Sequence, residues 1–135
     1  LAGRYTLLEQ EALHSFLPLC EKRGIGIITG GPYNSGILAT GATPAAFYNY
    51  DKAPKEIIKR VSKIEEICRE YSVPLKSAAL QFPLFHPTHL SVIPGGQSAE
   101  EMRGNLDAIN FNIPQDFWLA MKTAGLIRAD APSGE

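Results

Sequence analysis

Two glycine-rich turns carry the residues best suited to do chemistry. Leu90-Ser-Val-Ile93 reads as a short apolar strand, stopped by Pro94 and a Gly95-Gly96 turn. A helix follows at once, with Ser98 at its N-cap and Glu101 three residues on, the spacing of a capping box. A strand, a glycine turn and a helix start place backbone N–H groups and the positive helix end beside the strand's carboxyl terminus, which suits an anion such as phosphate. The second stretch is Gly30-Gly-Pro-Tyr-Asn-Ser-Gly-Ile-Leu38, which follows the apolar run Ile25–Thr29. Its glycines let backbone come close to a ligand.

The remaining reactive side chains invite structural readings first. Cys20 and Cys68 each fall on the apolar stripe of a helix, as buried reduced thiols rather than a disulfide or a metal pair. His86 and His89 flank a proline turn before the Leu90 strand and read as structural, His14 as a solvated helix residue, and Trp118 as core. No metal site is expected. Tyr48 and Tyr50 lie in a long connection and read equally as pocket lining or as loop packing.

The elements that would position these loops are legible in part. Leu1–Leu8 reads as a short strand, and Glu9–Arg23 as a helix with Leu13, Phe16, Leu17 and Cys20 on one stripe. Pro18 interrupts that pattern, so the helix either kinks there or begins late, near Ser15. Pro54–Tyr71 is the clearest helix, with Ile57, Ile58, Val61, Ile64, Ile67, Cys68 and Tyr71 on one face. Leu75–Phe82, Ser98–Ile109 and a segment from Pro114 to Gly125 complete the helices, and Ala129–Glu135 reads as a loose tail after a body of residues 1–128.

Strand and helix alternate, so the expected fold class is α/β with parallel strands. Two or three strands cannot close a barrel, and the chain's 135 residues fall well short of the roughly 250 of a (β/α)₈ barrel. The pattern fits part of such a barrel, in which the loops after the last two strands commonly build a phosphate site. The net charge of −1 argues against nucleic acid or an anionic membrane surface as partner, no apolar run is long enough to span a bilayer, and the cytoplasm is the expected location.

Gly30–Leu38, Leu80-Gln-Phe-Pro-Leu84 and Ser91-Val-Ile-Pro-Gly-Gly96, in that order, resemble the aldo/keto reductase superfamily. The likeness is closest to its D-threo-aldose 1-dehydrogenase, L-fucose dehydrogenase and pyridoxal 4-dehydrogenase branch. Arg4–Leu8, Tyr48-Asn-Tyr50 and Trp118…Gly125-Leu-Ile127 look like that branch as well. The resemblance corresponds to the carboxyl-terminal part of the barrel: strands six to eight, their helices and a final covering helix.

That resemblance implies an oxidoreductase using NAD or NADP on an aldose or a pyridoxal-type alcohol, a small-molecule substrate. The family's catalytic tyrosine, lysine, aspartate and histidine come from amino-terminal strands, so no catalytic residue is expected in this chain, which alone would be inactive. Gly31, Asn34, Ser35, Gly36 and Ile37 match the loop that wraps the pyrophosphate. Gly95, Gly96, Gln97 and Ser98 match the turn at the adenosine phosphate, and Asn105 the asparagine at the adenine edge. Glu101 stands where NADP-preferring members place an arginine, and a carboxylate there repels a 2′-phosphate yet accepts from a ribose hydroxyl, which favours NAD. Gly30 replaces an aromatic ring common beneath the nicotinamide, leaving Tyr33 as a candidate, with Tyr48 and Tyr50 as weaker substrate contacts. Ala2 stands where a polar residue often holds the carboxamide. The alternative is a non-catalytic half-barrel that binds nucleotide or serves as an auxiliary subunit. A piece made alone would expose a bare sheet edge and self-associate.

Overall fold

The computed structural model describes residues 1–134. Its organising feature is a pair of parallel strands, β1 (Ile27–Gly30) and β4 (His89–Ile93), in register Ile28 to Ser91, Thr29 to Val92 and Gly30 to Ile93. Residues 1–3 add a third parallel edge on the other side of β1. Leu1 N donates to Ile28 O at 2.9 Å, Gly30 N to Leu1 O at 2.9 Å and Gly3 N to Gly30 O at 2.8 Å.

The strand expected over Leu1–Leu8 is therefore only a bridge at Ala2. Gly3 at φ +58° ends it, and Thr6 then closes a turn in which its Oγ1 accepts from Leu8 N and Glu9 N. The first helix, α1 (Phe16–Lys22), begins late, preceded by a 3-10 turn at Glu11–Leu13. Pro18 is the third helical residue, where an N–H has no intrahelical partner to lose, so the ring is accommodated without a kink.

The connection after β1 is more ordered than its sequence suggests. It holds α2 (Ile37–Thr40) and a hairpin of β2 (Phe47–Tyr48) and β3 (Asp51–Lys52). Asn49 and Tyr50, at φ 51° and 65°, form its tip, the positive-φ pair that a type I′ turn requires. α3 (Lys55–Glu70) buries Val61, Ile64 and Cys68 from its apolar stripe. α4 (Leu75–Gln81) runs into a 3-10 turn, Phe82–Phe85, where Pro83 ends the α-helix. α5 (Ala99–Ile109) and α6 (Gln115–Thr123) follow β4.

The helices cover one face of the strand pair. Tyr5, Leu17, Ile64, Phe82, Phe117 and Trp118 are fully or almost fully buried there. On the opposite face the register aligns Ile28 with Ser91 and Gly30 with Ile93, and Ile28 and Ile93 are 51% and 60% exposed. The strands form an open arc, α/β with no closed barrel. The segment from Ala129, expected to be loose, lies against the body as far as Gly134. Ala131 and Ser133 are buried, and Arg128 N donates to Gln10 Oε1 at 2.7 Å.

Cys20 and Cys68 are both buried and unbridged. Trp118 packs edge-on to Phe85 and Phe117. His86 and His89 are buried, with Thr88 Oγ1 within 2.9 Å of His86 Nδ1 and 3.3 Å of His89 Nδ1, and both rings face Tyr5. Burial, and the neighbouring His86, hold the His89 imidazole down to about 4, hence neutral at ordinary pH. Among the described residues there is no group of three metal-ligating side chains, and no helix is long and apolar enough to cross a membrane.

Candidate functional site

Because β1 and β4 are parallel neighbours paired through Gly30 and Ile93, the loops after them leave from the same edge of the sheet. In open parallel α/β sheets, ligands bind in the crevice at the carboxyl ends of the strands.

The first loop is shaped by backbone in the left-handed region. Gly31, Asn34, Ser35 and Gly36 have φ of 62°, 47°, 60° and 102°. Consecutive positive-φ residues at 34–36 fold the chain back tightly before α2, and Asn is among the few non-glycine residues that adopt this conformation readily. A Cβ placed at Gly36 would meet nothing within 4 Å, and the same holds at Gly30 and Gly95. Gly30 and Gly36 in the first loop and Gly95 in the second thus border open space, whereas Gly31 lies against Gly3. Asn34 is buried, its Nδ2 donates to Gly3 O at 3.5 Å, and its Oδ1 has no hydrogen-bond partner. Ile37 is fully buried, backbone included, and presents nothing to a ligand at this loop.

The second loop shows the capping geometry the spacing implies. Ser98 Oγ accepts from Glu101 N at 3.1 Å, and Glu101 Oε2 accepts from Gln97 N at 2.7 Å. The carboxylate therefore sits on the turn amide just before the helix, one residue earlier than in the standard capping box. Its negative charge lies at the positive end of α5. A Cβ at Gly96 would meet the Met102 thioether, the end of a flexible, half-exposed side chain that can move aside.

One side chain joins the loops. Asn105, two turns into α5 and only 4% exposed, accepts at Oδ1 from the Tyr33 hydroxyl at 2.7 Å and donates from Nδ2 to Gly95 O at 3.1 Å. Tyr33 is itself buried, with Lys76 Nζ 5.6 Å from its ring centre, and burial raises its phenol well above the ordinary range. Pairing of Tyr33 with Asn105 was not foreseeable from sequence, since 72 residues separate them. The only trace is periodicity, for Asn105 falls seven residues after the Ser98 cap and hence on the same side of α5.

The three tyrosines expected at a substrate do not share surroundings. Tyr33 is committed to Asn105 and is no open platform for a ring. Tyr48 is half-buried, and its hydroxyl donates to Glu9, which Arg4 approaches to 3.5 Å. Burial, with the Glu9 carboxylate added, pushes the Tyr48 phenol up to about 12. Tyr50 is 94% exposed at the hairpin tip, but its backbone N–H donates to Ser35 Oγ at 2.9 Å, tying the hairpin to the first glycine loop. Ser35 is left with its own O–H to donate.

Two glycine loops at one end of the strands, open space above three glycines and a helix start could hold an anionic diphosphate, and the unpartnered Asn34 Oδ1, an acceptor, adds nothing to that fit. A concavity of about 460 Å³ lies elsewhere, lined by Glu9, Gln10, Arg60, Lys122 and Arg128 among others. Arg60 there is half-buried and donates to the carbonyls of Leu7, Leu8 and Leu126, which is a structural tie between the chain's two ends.

The profile described as the aldo/keto reductase family matches residues 1–125. The chain is 44% identical over 127 residues to pyridoxal 4-dehydrogenase from Microbacterium luteolum, covering 94% of this chain and 37% of that protein. It is 38% identical over 128 residues to D-threo-aldose 1-dehydrogenase from a Pseudomonas species, covering 94% and 39%. A probable voltage-gated potassium channel subunit beta from Arabidopsis thaliana is 30% identical over 108 residues, covering 70% of this chain and 33% of that protein. Among solved structures, the apo form of an aldo-keto reductase from Bacillus halodurans superposes with a TM-score of 0.70 at 20% identity, over 96% of this chain and 44% of that one. The chain thus spans well under half the length of these relatives.

Proposed function

The chain belongs to the aldo/keto reductase family, and on that premise we propose that it forms the dinucleotide-holding part of an oxidoreductase acting on an aldose or a pyridoxal-type alcohol. In that reading the fold is strands six to eight of the barrel. The loop of Gly31, Asn34, Ser35 and Gly36 receives the pyrophosphate, Ser35 through its O–H. Gly95, Gly96, Gln97 and Ser98 meet the adenosine phosphate. A bound nicotinamide cofactor supplies hydride transfer; the catalytic side chains come from outside these residues.

The observation that carries the reading is the convergence of the two glycine loops on one sheet edge, joined through Tyr33, Asn105 and Gly95. The likeness to a pyridoxal and an aldose dehydrogenase supports the substrate class. Glu101 supports NAD over NADP. Its carboxylate, held on Gln97 N, stands at the turn and repels a 2′-phosphate while remaining able to accept from a ribose hydroxyl.

The test is reduction of NAD by the full-length protein with L-fucose, other aldoses and pyridoxal as substrates. The reading expects NADH formation, weaker use of NADP, and a narrower gap between the two in Glu101→Arg. Failure to reduce either dinucleotide with any of these would reject it. The likeness to a channel β subunit supports a second reading, nucleotide binding by an auxiliary subunit without turnover. Tight dinucleotide binding with no hydride transfer would favour that alternative.

A further inference from the structure

Lys76 is a half-buried cation that the reading so far leaves without a task. Among the described residues no carboxylate and no hydrogen-bond acceptor holds it, and its one polar neighbour is the ring of Tyr33, with Nζ 5.6 Å from the ring centre. We propose that this ammonium is a specificity-determining group for the purine of the dinucleotide, donating to acceptor atoms on the base edge that Asn105 meets. The proposal rests on the dinucleotide reading of the site and extends it from the phosphates to the base.

Lysines ordinarily carry their charge out to water. Lys76 is the second residue of α4, in the first turn, where the helix dipole disfavours a cation, and its ammonium instead lies across on α5. A Cβ added to Gly104 would stand 3.5 Å from Lys76 Nζ, so the ammonium rests against α5 at a position that has no side chain. A longer side chain at 104 would crowd it. The next residue is Asn105, which accepts from the hydroxyl of the same Tyr33 that Lys76 approaches. The bonds of Asn105 to Tyr33 and to Gly95 O leave it one Oδ1 lone pair and one Nδ2 hydrogen, approached only by the Met102 thioether at 3.9 Å. An acceptor and a donor side by side are what an asparagine offers to N6 and N7 of adenine. Lys76 adds a charged donor beside them.

Position along α5 separates this group from the phosphates. Gly104 lies six residues past the Ser98 cap, about 9 Å along the helix axis. An anion held by the amides at the helix start is remote from the ammonium, whereas a base extended from its ribose toward Asn105 comes alongside it. An ammonium offers three N–H donors and no acceptor. Beside a purine it rewards ring nitrogens and a 6-oxo group and gains nothing from a 6-amino group. Lys76 thus widens the site toward oxopurines: a base with oxygen at position 6, for which Asn105 Oδ1 is the wrong partner, still meets a charged donor.

The experiment measures affinity of the full-length protein for NAD, for its analogue carrying hypoxanthine in place of adenine, and for NADP. The variants are Lys76→Met, which keeps the apolar stem and a good helix former while removing the charge, and Lys76→Arg, which keeps a charged donor. Lys76→Met should weaken the hypoxanthine analogue about tenfold relative to NAD, the scale of one hydrogen bond from a charged group. Lys76→Arg should hold the ratio near that of the unmodified protein. A ratio unchanged in Lys76→Met, whether both probes weaken or neither does, would overturn the proposal. Selective weakening of NADP would overturn it in favour of a contact to the 2′-phosphate. Failure of the unmodified protein to bind any of the three would reject the dinucleotide reading itself, a result distinct from an unchanged ratio.

Discussion

The two faces of the β1–β4 pair are made by the same strands and differ almost completely. Behind them, Thr29 and Val92 face a packed layer of Tyr5, Phe82, Phe117 and Trp118 under the helices. In front, Ile28 and Ile93 stand half-exposed. A strand buried on both faces reads as a continuous apolar run, and Ile27-Ile28-Thr29 is such a run. The sequence is therefore written for two covers and the described residues supply one. That is the signature of part of a barrel, whose interior face is filled only when the strand ring closes.

The comparison can be broken where it is strongest. Trp118→Ala opens a large void in the covered layer, next to Phe82, Phe85 and Phe117. It should cost about 3–5 kcal/mol, read by chemical denaturation; a cost near zero would mean that layer is not the core. The buried histidines should give a pH dependence of up to about 3 kcal/mol. In the unfolded chain His89 protonates near 6.5, whereas in the folded chain it does so only near 4. Stability should accordingly be full above pH 6.5, fall as the pH drops toward 4, and fall no further from this group below that. His89→Gln should flatten that decline, and an unchanged pH profile would show the imidazole is not held neutral.

Smaller effects sharpen the contrast. Ser98→Ala removes the acceptor for Glu101 N and should cost about 1 kcal/mol. Ile28→Ser, on the open face, should change the stability of residues 1–135 by no more than about 0.5 kcal/mol. The same substitution in the full-length protein should cost markedly more, since the remainder of a barrel would bury it. Equal costs in the two settings would mean that nothing covers this face.

What was readable from the chain follows the range of the forces involved. The long apolar stripe of α3, the capping pair Ser98 and Glu101 and the glycine stop at Gly125 are local, and periodicity and caps report them. Pro18 resolved itself once its position in the first turn was known. The β2–β3 hairpin was not legible, because its turn puts Asn49 and Tyr50 at positive φ without the Asn-Gly pair that signals such turns. Nor was the short reach of the first strand, ended at Gly3, or the docking of the chain's end through Arg128 and Gln10. At the candidate site, both glycine loops are legible as loops in the sequence, but their union through Tyr33 and Asn105 is a contact across 72 residues that no local pattern encodes.

The most direct test of the account is backbone amide chemical-shift mapping during titration of the full-length protein with NAD. The account predicts that amides of Gly31–Ile37 and of Gly95–Glu101 shift together, along a single saturation curve. Shifts confined to one loop, or centred on the concavity around Arg60 and Arg128, would contradict it.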